Sequence, residues 1–278
     1  MGSNAIKIKS RIASVTGAYK VTSAMKLVST VKLKKWKNKM LDNKKYADEI
    51  YKTTDYLLSY SKENSIFSSS PDSSKDLYIL YSSTLGLCGS YNNNIFKVGD
   101  QSIKQNDDAI IIGKKGLAHY QDQSFKHVEL FNDENEITTD KLASIISEYV
   151  LKEFKKGTYR SIHIIYSSYK NSLTFIPKDE IILPLAKKED ELVGYGPILE
   201  PNEETLINTL VPFYVKTLIY SKLLESEVCE HAARSNAMEN ATNNAKELLD
   251  NLNLEFNKER QSSITNEIIE IVSAANSI

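Results

Sequence analysis

Glycine and proline, the residues that most readily interrupt a helix, are almost confined to the middle of this chain. Between Asn4 and Ser70 the only one is Gly17, no glycine follows Gly196, and the last proline is Pro212. The two ends therefore predict uninterrupted helices over about 4–61 and 203–275, with a turn-rich fold between them. Apolar or small residues at Ile8, Ile12, Val15, Tyr19, Thr22, Met25 and Val28 keep one helical face in line. Met238, Ala241, Ala245, Leu248, Leu252 and Phe256 do the same near the other end. Pro201 with Asn202 supplies a start signal for the second helix, and Glu203 and Glu204 suit the positive end of its dipole.

Length then constrains the architecture. At 1.5 Å per residue the helices extend roughly 85 and 105 Å. A compact globule of this size has a radius of gyration of only about 19 Å. Helices this long are expected to project as a rod, and a lone exposed helix is marginal, so they should pair. Charge supports the pairing. Residues 1–45 hold twelve basic side chains and one acid, Asp42, whereas residues 200–278 hold thirteen acids and six basic residues. The chain returns to its start, so the pair is expected to be antiparallel. For any single lysine, a solvated helix face is the better account.

The middle alternates. Strands are expected over 77–81, 109–112, 126–131 and 161–166, and helices over 92–103, 115–121 and 139–155, the last with Thr139 as cap and Gly157 just past its end. Such alternation predicts a mostly parallel sheet covered on both faces, a Rossmann-like α/β domain. Residues 173–176 and 181–185 are expected to add an edge hairpin, and 68–74 to form a flexible link. The expected domains are thus a coiled-coil helix over 1–65, an α/β foot over 66–196 and a second coiled-coil helix over 197–278.

Composition narrows the function. The net charge of −1 and 41% hydrophobic content suit a soluble protein, and no apolar run approaches the ~18 residues a membrane span needs. The start of the chain has neither the apolar core of a secretory signal nor a long Arg/Ser-rich leader, so a cytoplasmic setting is expected. Cys88 and Cys229 fit no metal or disulfide framework, and His119, His127, His163 and His231 lack zinc-ligand spacing. There is no phosphate loop of the G-x-x-x-x-G-K-[ST] type. Gly86-Leu87-Cys88-Gly89 and Gly113-Lys114-Lys115-Gly116 each follow a strand and precede a helix, where an anion could sit. The first fails the dinucleotide glycine spacing with no fitting acid after it, which disfavours a ligand there, and a plain strand-to-helix turn explains the second about as well. The expectation is no catalytic residue, no cofactor and no metal. The acidic second helix would quench the basic field of the first, so nucleic acid is not an expected partner.

Several segments together resemble one family. Ile8-Lys9-Ser10-Arg11-Ile12-Ala13-Ser14-Val15 and Lys20-Val21-Thr22-Ser23-Ala24-Met25-Lys26-Leu27-Val28 resemble its opening helix. Leu224-Glu225-Ser226, Glu230-His231-Ala232-Ala233-Arg234, Asn257-Lys258-Glu259-Arg260-Gln261 and the run from Ile264 to Ser273 resemble its closing helix, and Gly86-Leu87-Cys88-Gly89 a signature of its foot. The family is the gamma subunit of F-type ATP synthases, and the resemblance covers essentially the whole chain. It implies a rotor shaft standing in a ring of alternating alpha and beta subunits, with an epsilon-like subunit and a membrane rotor ring at the foot. The shaft would be peripheral to the cytoplasmic face of the cell membrane, without inserting into it. It further implies that Met25 and Lys26 face the moving lever of a partner, with Lys32, Lys34 and Lys35 as candidates for an acidic lever contact. Arg260, Gln261, Thr265 and Glu267 would meet partner loops, and the apolar tail with Ile268 and Val272 would turn in an apolar sleeve. Gly86, Cys88, Gly89 and Glu200 would serve the foot. Ser82-Ser83-Thr84-Leu85, Ala274, Leu199 and Trp36 depart from the family pattern. Two alternatives stay open: a related shaft driving an output other than proton transport, and a nucleotide-binding α/β enzyme with helical arms.

Overall fold

The computed structural model describes residues 3–60, 66–130, 137–185, 200 and 202–275. Helix α1 (Ser3–Tyr60) opens the chain and helix α5 (Glu203–Ala275) closes it. Between them come β1 (Asp76–Tyr81), α2 (Tyr91–Ser102), β2 (Asp108–Ile112), α3 (Lys114–Tyr120), β3 (Lys126–His127), α4 (Thr139–Lys155), β4 (Ser161–Tyr169) and β5 (Phe175–Leu183). The chain forms two compact units, residues 1–30 with 234–278 and residues 31–233. The expected domain limit at 196/197 lies outside the described residues and that at 65/66 at their edge; within the two units, residues 31–60 and 203–233 group with the sheet.

The larger unit is built on a five-stranded sheet in the order β3-β2-β1-β4-β5. β1, β2, β3 and β4 are parallel, and β5 runs antiparallel at the edge beside β4. β1 and β2 are buried along their whole length, as expected for strands covered on both faces. On one face Leu77, Ile79, Ile110, Ile162 and Ile164 form a core with Ile146, Val150 and Phe154 of α4 and Val211, Val215, Ile219 and Leu223 of α5. On the other, Leu80, Ile111 and Ile165 join Tyr91, Ile95 and Phe96 of α2, Tyr120 of α3 and Cys229 of α5. α5 is also pinned by polar contacts. Glu225 Oε1 accepts from the Tyr169 backbone N–H (2.6 Å) and the Ser168 hydroxyl (2.9 Å), and Lys222 Nζ lies 2.6 Å from Glu180 Oε2. Burial opposes ionisation of Glu180, but the Lys222 and Tyr166 hydrogen bonds outweigh it and hold its carboxyl below the usual range. In the same unit α1 packs on α5 through Tyr51 and Tyr214, whose rings meet edge-on at 5.3 Å. Burial pushes the Tyr51 phenol up to about 12, tempered by its hydrogen bond to Ser221.

The smaller unit is an antiparallel helix pair. Asn4 donates to Glu259 (2.8 Å), Thr242 to Thr22 (3.0 Å) and Lys26 to Glu239 (2.7 Å), and Thr30 bonds Ser235 (3.0 Å). Numbering ascends along one helix as it descends along the other. The seam follows the expected face with two corrections. Val28, at the end of the first face, is 55% exposed while Ser29 is buried, and Leu248, within the second, is exposed while Leu249 is half-buried. Steps of strictly three or four around a 3.6-residue turn drift by one position over several turns.

Local departures have physical causes. Asn202 accepts from the Thr205 N–H at 2.8 Å and so caps α5. Thr138 caps α4 one residue earlier than expected, while Gly157 (φ +74°) ends the helix as expected. The expected strand over 126–131 pairs only at Lys126 and His127, and its last residue lies outside the described residues. Residues 175–183 form one strand where a hairpin was expected. The polar run Lys178-Asp179-Glu180 and Pro177 are tolerated because β5 lies at the sheet edge. The link over 68–74 is tethered: the Ser73 hydroxyl donates to Thr158 O (2.9 Å), and Phe67 just before it is fully buried.

These burial differences predict contrasting mutants. Ile164→Ala, in the sheet core, should cost about 2–5 kcal/mol and lower the urea midpoint. Ile268→Ala, on an exposed face, should change stability by less than about 0.5 kcal/mol.

Candidate interaction surfaces

Near the end of α5 the apolar residues have no cover. Ile264, Ile268, Ile269, Ile271 and Val272 are 47–69% exposed, in a helix whose pairing with α1 is recorded as far as Glu259. Arg260, Gln261, Thr265 and Glu267 lie exposed on the same segment. Exposed apolar residues gathered on one segment make it a candidate interaction surface. Met25 and Lys26 sit half-buried in the helix pair, where Lys26 Nζ holds Glu239. Lys32, Lys34 and Lys35 belong to the larger unit and are exposed. The structure thus gathers the α5 residues on one segment and leaves the α1 residues divided between two units.

The loop after β1 shows how Gly86-Leu87-Cys88-Gly89 is held. Ser83 accepts the Asn92 amide (2.7 Å) and donates to Leu85 O (2.7 Å), while Asn92 Oδ1 takes the Ser83 N–H. Cys88 is buried beside Ser83 and Asn92, so its thiol stabilises the turn from inside and is not a direct contact. Gly89 is exposed and Gly86 half-buried. The outward side chains are Leu85 and Leu87, 62% and 61% exposed. Glu200 is exposed in a bend.

The second turn, Gly113-Lys114-Lys115-Gly116, is filled from within. Ser82 donates to Ile112 O (2.7 Å) and accepts the Gly116 N–H (2.8 Å). A Cβ on Gly113 (φ +97°) would stand 2.2 Å from Ser82 O, so glycine is needed there for packing. The turn is a packed strand-to-helix connection in which the Lys115 N–H bonds Ser83 O (3.1 Å) and the Gly116 N–H bonds Ser82 Oγ.

One polar network escaped the sequence reading. At the start of β1, Asp76 receives Arg160 through its Nε (3.1 Å) and its terminal nitrogen, and the Ser161 hydroxyl (2.5 Å). His163 links Ser161 Oγ (Nε2, 3.0 Å) to Asp179 Oδ1 (Nδ1, 2.8 Å). The order Ser161–His163–Asp179 has the outline of a nucleophilic triad, but the buried Ser161 gives its proton to Asp76. The arrangement therefore ties β1 and β4 to the edge strand. Burial opposes ionisation of both aspartates. It is outweighed at Asp76 by Arg160 and Ser161, and at Asp179 mainly by His163, so both carboxyls lie below the usual range. Period-two spacing of Ser161 and His163 was the available signal; the partners come from other strands. Among the described residues no group of His, Cys, Asp and Glu is placed to hold a metal, and no helix is long and apolar enough to cross a membrane.

Fold and surfaces together define an α/β protein whose first and last helices pair antiparallel and whose last helix carries an uncovered apolar end. Comparison with known proteins makes the class specific. Residues 4–278 match the family model described as ATP synthase. The ATP synthase gamma chain of Malacoplasma penetrans is 38% identical over 97% of both chains, and that of Mycoplasma mobile 39% over 97% of both. The gamma chain of Mesoplasma florum is 34% identical over 99% of both. The chain belongs to the ATP synthase gamma chain family. In fold it is similar to the solved rotor of the Euglena gracilis mitochondrial ATP synthase, with a TM-score of 0.65 at 19% identity, covering 95% of this chain and 100% of that one.

The aspartate network predicts an acid response. Both carboxyls ionise more readily folded than unfolded, so their contribution is complete above the ordinary value of 3.8 and is lost as pH falls through that value and below. The urea midpoint should drop as pH falls from about 4 downward, and the drop should be smaller in Asp76→Asn, as measured by denaturation at a series of pH values.

Proposed function

We propose that this chain is the central rotor shaft of a rotary F-type ATP synthase, with no catalytic site of its own, and that active sites lie on alpha and beta partners. The observation that carries the reading is the uncovered apolar end of α5, Ile264 to Val272, on a chain related to gamma chains over nearly its full length. A shaft influences three chemically equal partners only if it touches them unequally, because coupling is differential interaction free energy. Moving a two-state site from 1:99 to 99:1 takes ~5.5 kcal/mol. A few charge-assisted hydrogen bonds at Arg260, Gln261, Thr265 and Glu267 supply energy of that order. The apolar residues Ile268 and Val272 beside them give contact without directional bonds, which suits a surface that must slide.

In this reading Lys32, Lys34 and Lys35 meet acidic partner segments, and Lys26 exchanges Glu239 for a partner carboxylate as the shaft turns. Exposed Leu85 and Leu87, with Gly86 and Gly89 shaping their turn, and Glu200 form the foot contact with an epsilon-like subunit and a membrane rotor ring. The chain is then peripheral to the membrane.

Co-expression with alpha and beta subunits of a related synthase tests this directly. The complex should purify intact and hydrolyse ATP, with rotation of a bead attached to the sheet unit, while the chain alone shows no hydrolysis. Ile268→Glu with Val272→Glu should reduce assembled complex by about tenfold. Hydrolysis by the isolated chain, or failure to bind either partner, would overturn the proposal.

A further inference from the structure

The larger unit contains a cleft of about 380 Å³, of whose lining the shaft reading uses only Lys35. It opens outside the carboxyl ends of β1 and β2, where open α/β sheets bind ligands. Its lining mixes apolar and aromatic residues, among them Tyr81, Ile112 and Leu142, with the hydroxyls of Ser82, Thr138 and Thr139. Trp36 and Tyr220 form aromatic walls, and Lys35, Lys39 and Thr84 place ammonium and hydroxyl groups around them. The volume falls within the roughly 300–1,000 Å³ usual for small-molecule sites. A larger space beside Tyr19, Lys20 and Leu27 has no such character, since it is lined by the surface of α1 alone.

Charge in the cleft is unbalanced in one direction. Of its two acids, Asp140 lies 3.6 Å from Lys216, while Glu227 lies 3.5 Å from the His231 ring, which is a cation only when protonated. The exposed lysines Lys35 and Lys39 show no ion pair among the described residues. Lys39 Nζ is held over the Trp36 ring at 4.7 Å, which fixes an ammonium beside an aromatic plate. An aromatic lining with ammonium groups at its edge matches a ligand that is planar at one end and anionic at the other.

We infer that this cleft binds a planar-ring phosphate of the nucleotide class, with the ring between Trp36 and Tyr220 and the phosphate on Lys35 and Lys39. The inference shares Lys35 with the proposed partner contact and otherwise does not rest on the shaft assignment. Trp36 is the sole tryptophan of the chain, so its fluorescence reports occupancy directly.

The test titrates the full chain with ADP, adenosine and inorganic phosphate in parallel, with a free tryptophan analogue as control for absorption by the nucleotide. ADP should give a saturable change at micromolar to millimolar concentration. Adenosine and phosphate, each offering half of the recognition, should bind at least about tenfold more weakly. Lys35→Gln with Lys39→Gln should raise the ADP dissociation constant about tenfold or more, while Lys7→Gln with Lys9→Gln, on the other unit, should leave it unchanged. Circular dichroism verifies that each variant is folded, and equilibrium dialysis with ADP supplies a reading independent of tryptophan. Absence of saturable ADP binding in both measurements would overturn the inference. So would equal affinity in the Lys35/Lys39 variant, or saturation by a glutamate-rich peptide with ADP inert.

Discussion

The antiparallel contact between α1 and α5 is the constraint on which the rest of the molecule depends. Helices of 58 and 73 residues gain little from local hydrogen bonding alone, because helix stability in proteins comes mainly from packing an apolar face. In the smaller unit that face is narrow. Ala5, Ile8, Met238 and Leu252 are its buried apolar residues, and much of the remaining contact is polar. The exposed pair Lys26–Glu239 contributes at most about 1 kcal/mol. Pairs such as Thr22–Thr242 and Thr30–Ser235 add little stability but favour one alignment of the two helices over its neighbours. A thin, register-specific seam leaves the outward faces free for other proteins.

In the larger unit the same two helices meet a conventional core. α5 supplies Val211, Val215, Ile219 and Leu223 to one face of the sheet and Cys229 to the other. Glu225 and Ser226, within a segment that carries the family resemblance, prove to be bonds to the β4 backbone: Glu225 takes the Tyr169 N–H and Ser226 Oγ takes the Ser167 N–H. Resemblance at those positions therefore reports how the helix is anchored, whereas resemblance around Arg260 falls on an exposed surface. The two kinds of position look alike in sequence and differ in physical role.

The helices, the alternating centre and most strand positions were legible because each rests on a local pattern. Absence of glycine and proline, period-3.6 spacing and short apolar runs act within a few residues. What escaped depended on distant partners. The strand over 175–183 contains Pro177 and three charged residues, and becomes a strand only through its edge position beside β4. Asp76, Ser161, His163 and Asp179 come from three strands and Arg160 from the bend before β4, so no spacing rule joins them. Ser82 closing on Gly113 and Gly116 likewise converts an apparent anion cradle into a packed turn. Among the candidate contact residues, exposure at Arg260, Gln261, Thr265, Glu267, Ile268 and Val272 followed from their place past the end of the pairing, while the inward side chain of Cys88 depended on Asn92 from the next helix.

Disulfide trapping across the seam tests the central claim most directly. The Thr22 and Thr242 hydroxyls are 3.0 Å apart, so Thr22→Cys with Thr242→Cys should oxidise rapidly to an intramolecular disulfide in the full chain. Thr22→Cys with Glu259→Cys, separated along the helices in this register, should remain reduced under the same conditions. Efficient cross-linking of the second pair, with none in the first, would contradict the antiparallel register on which the account rests.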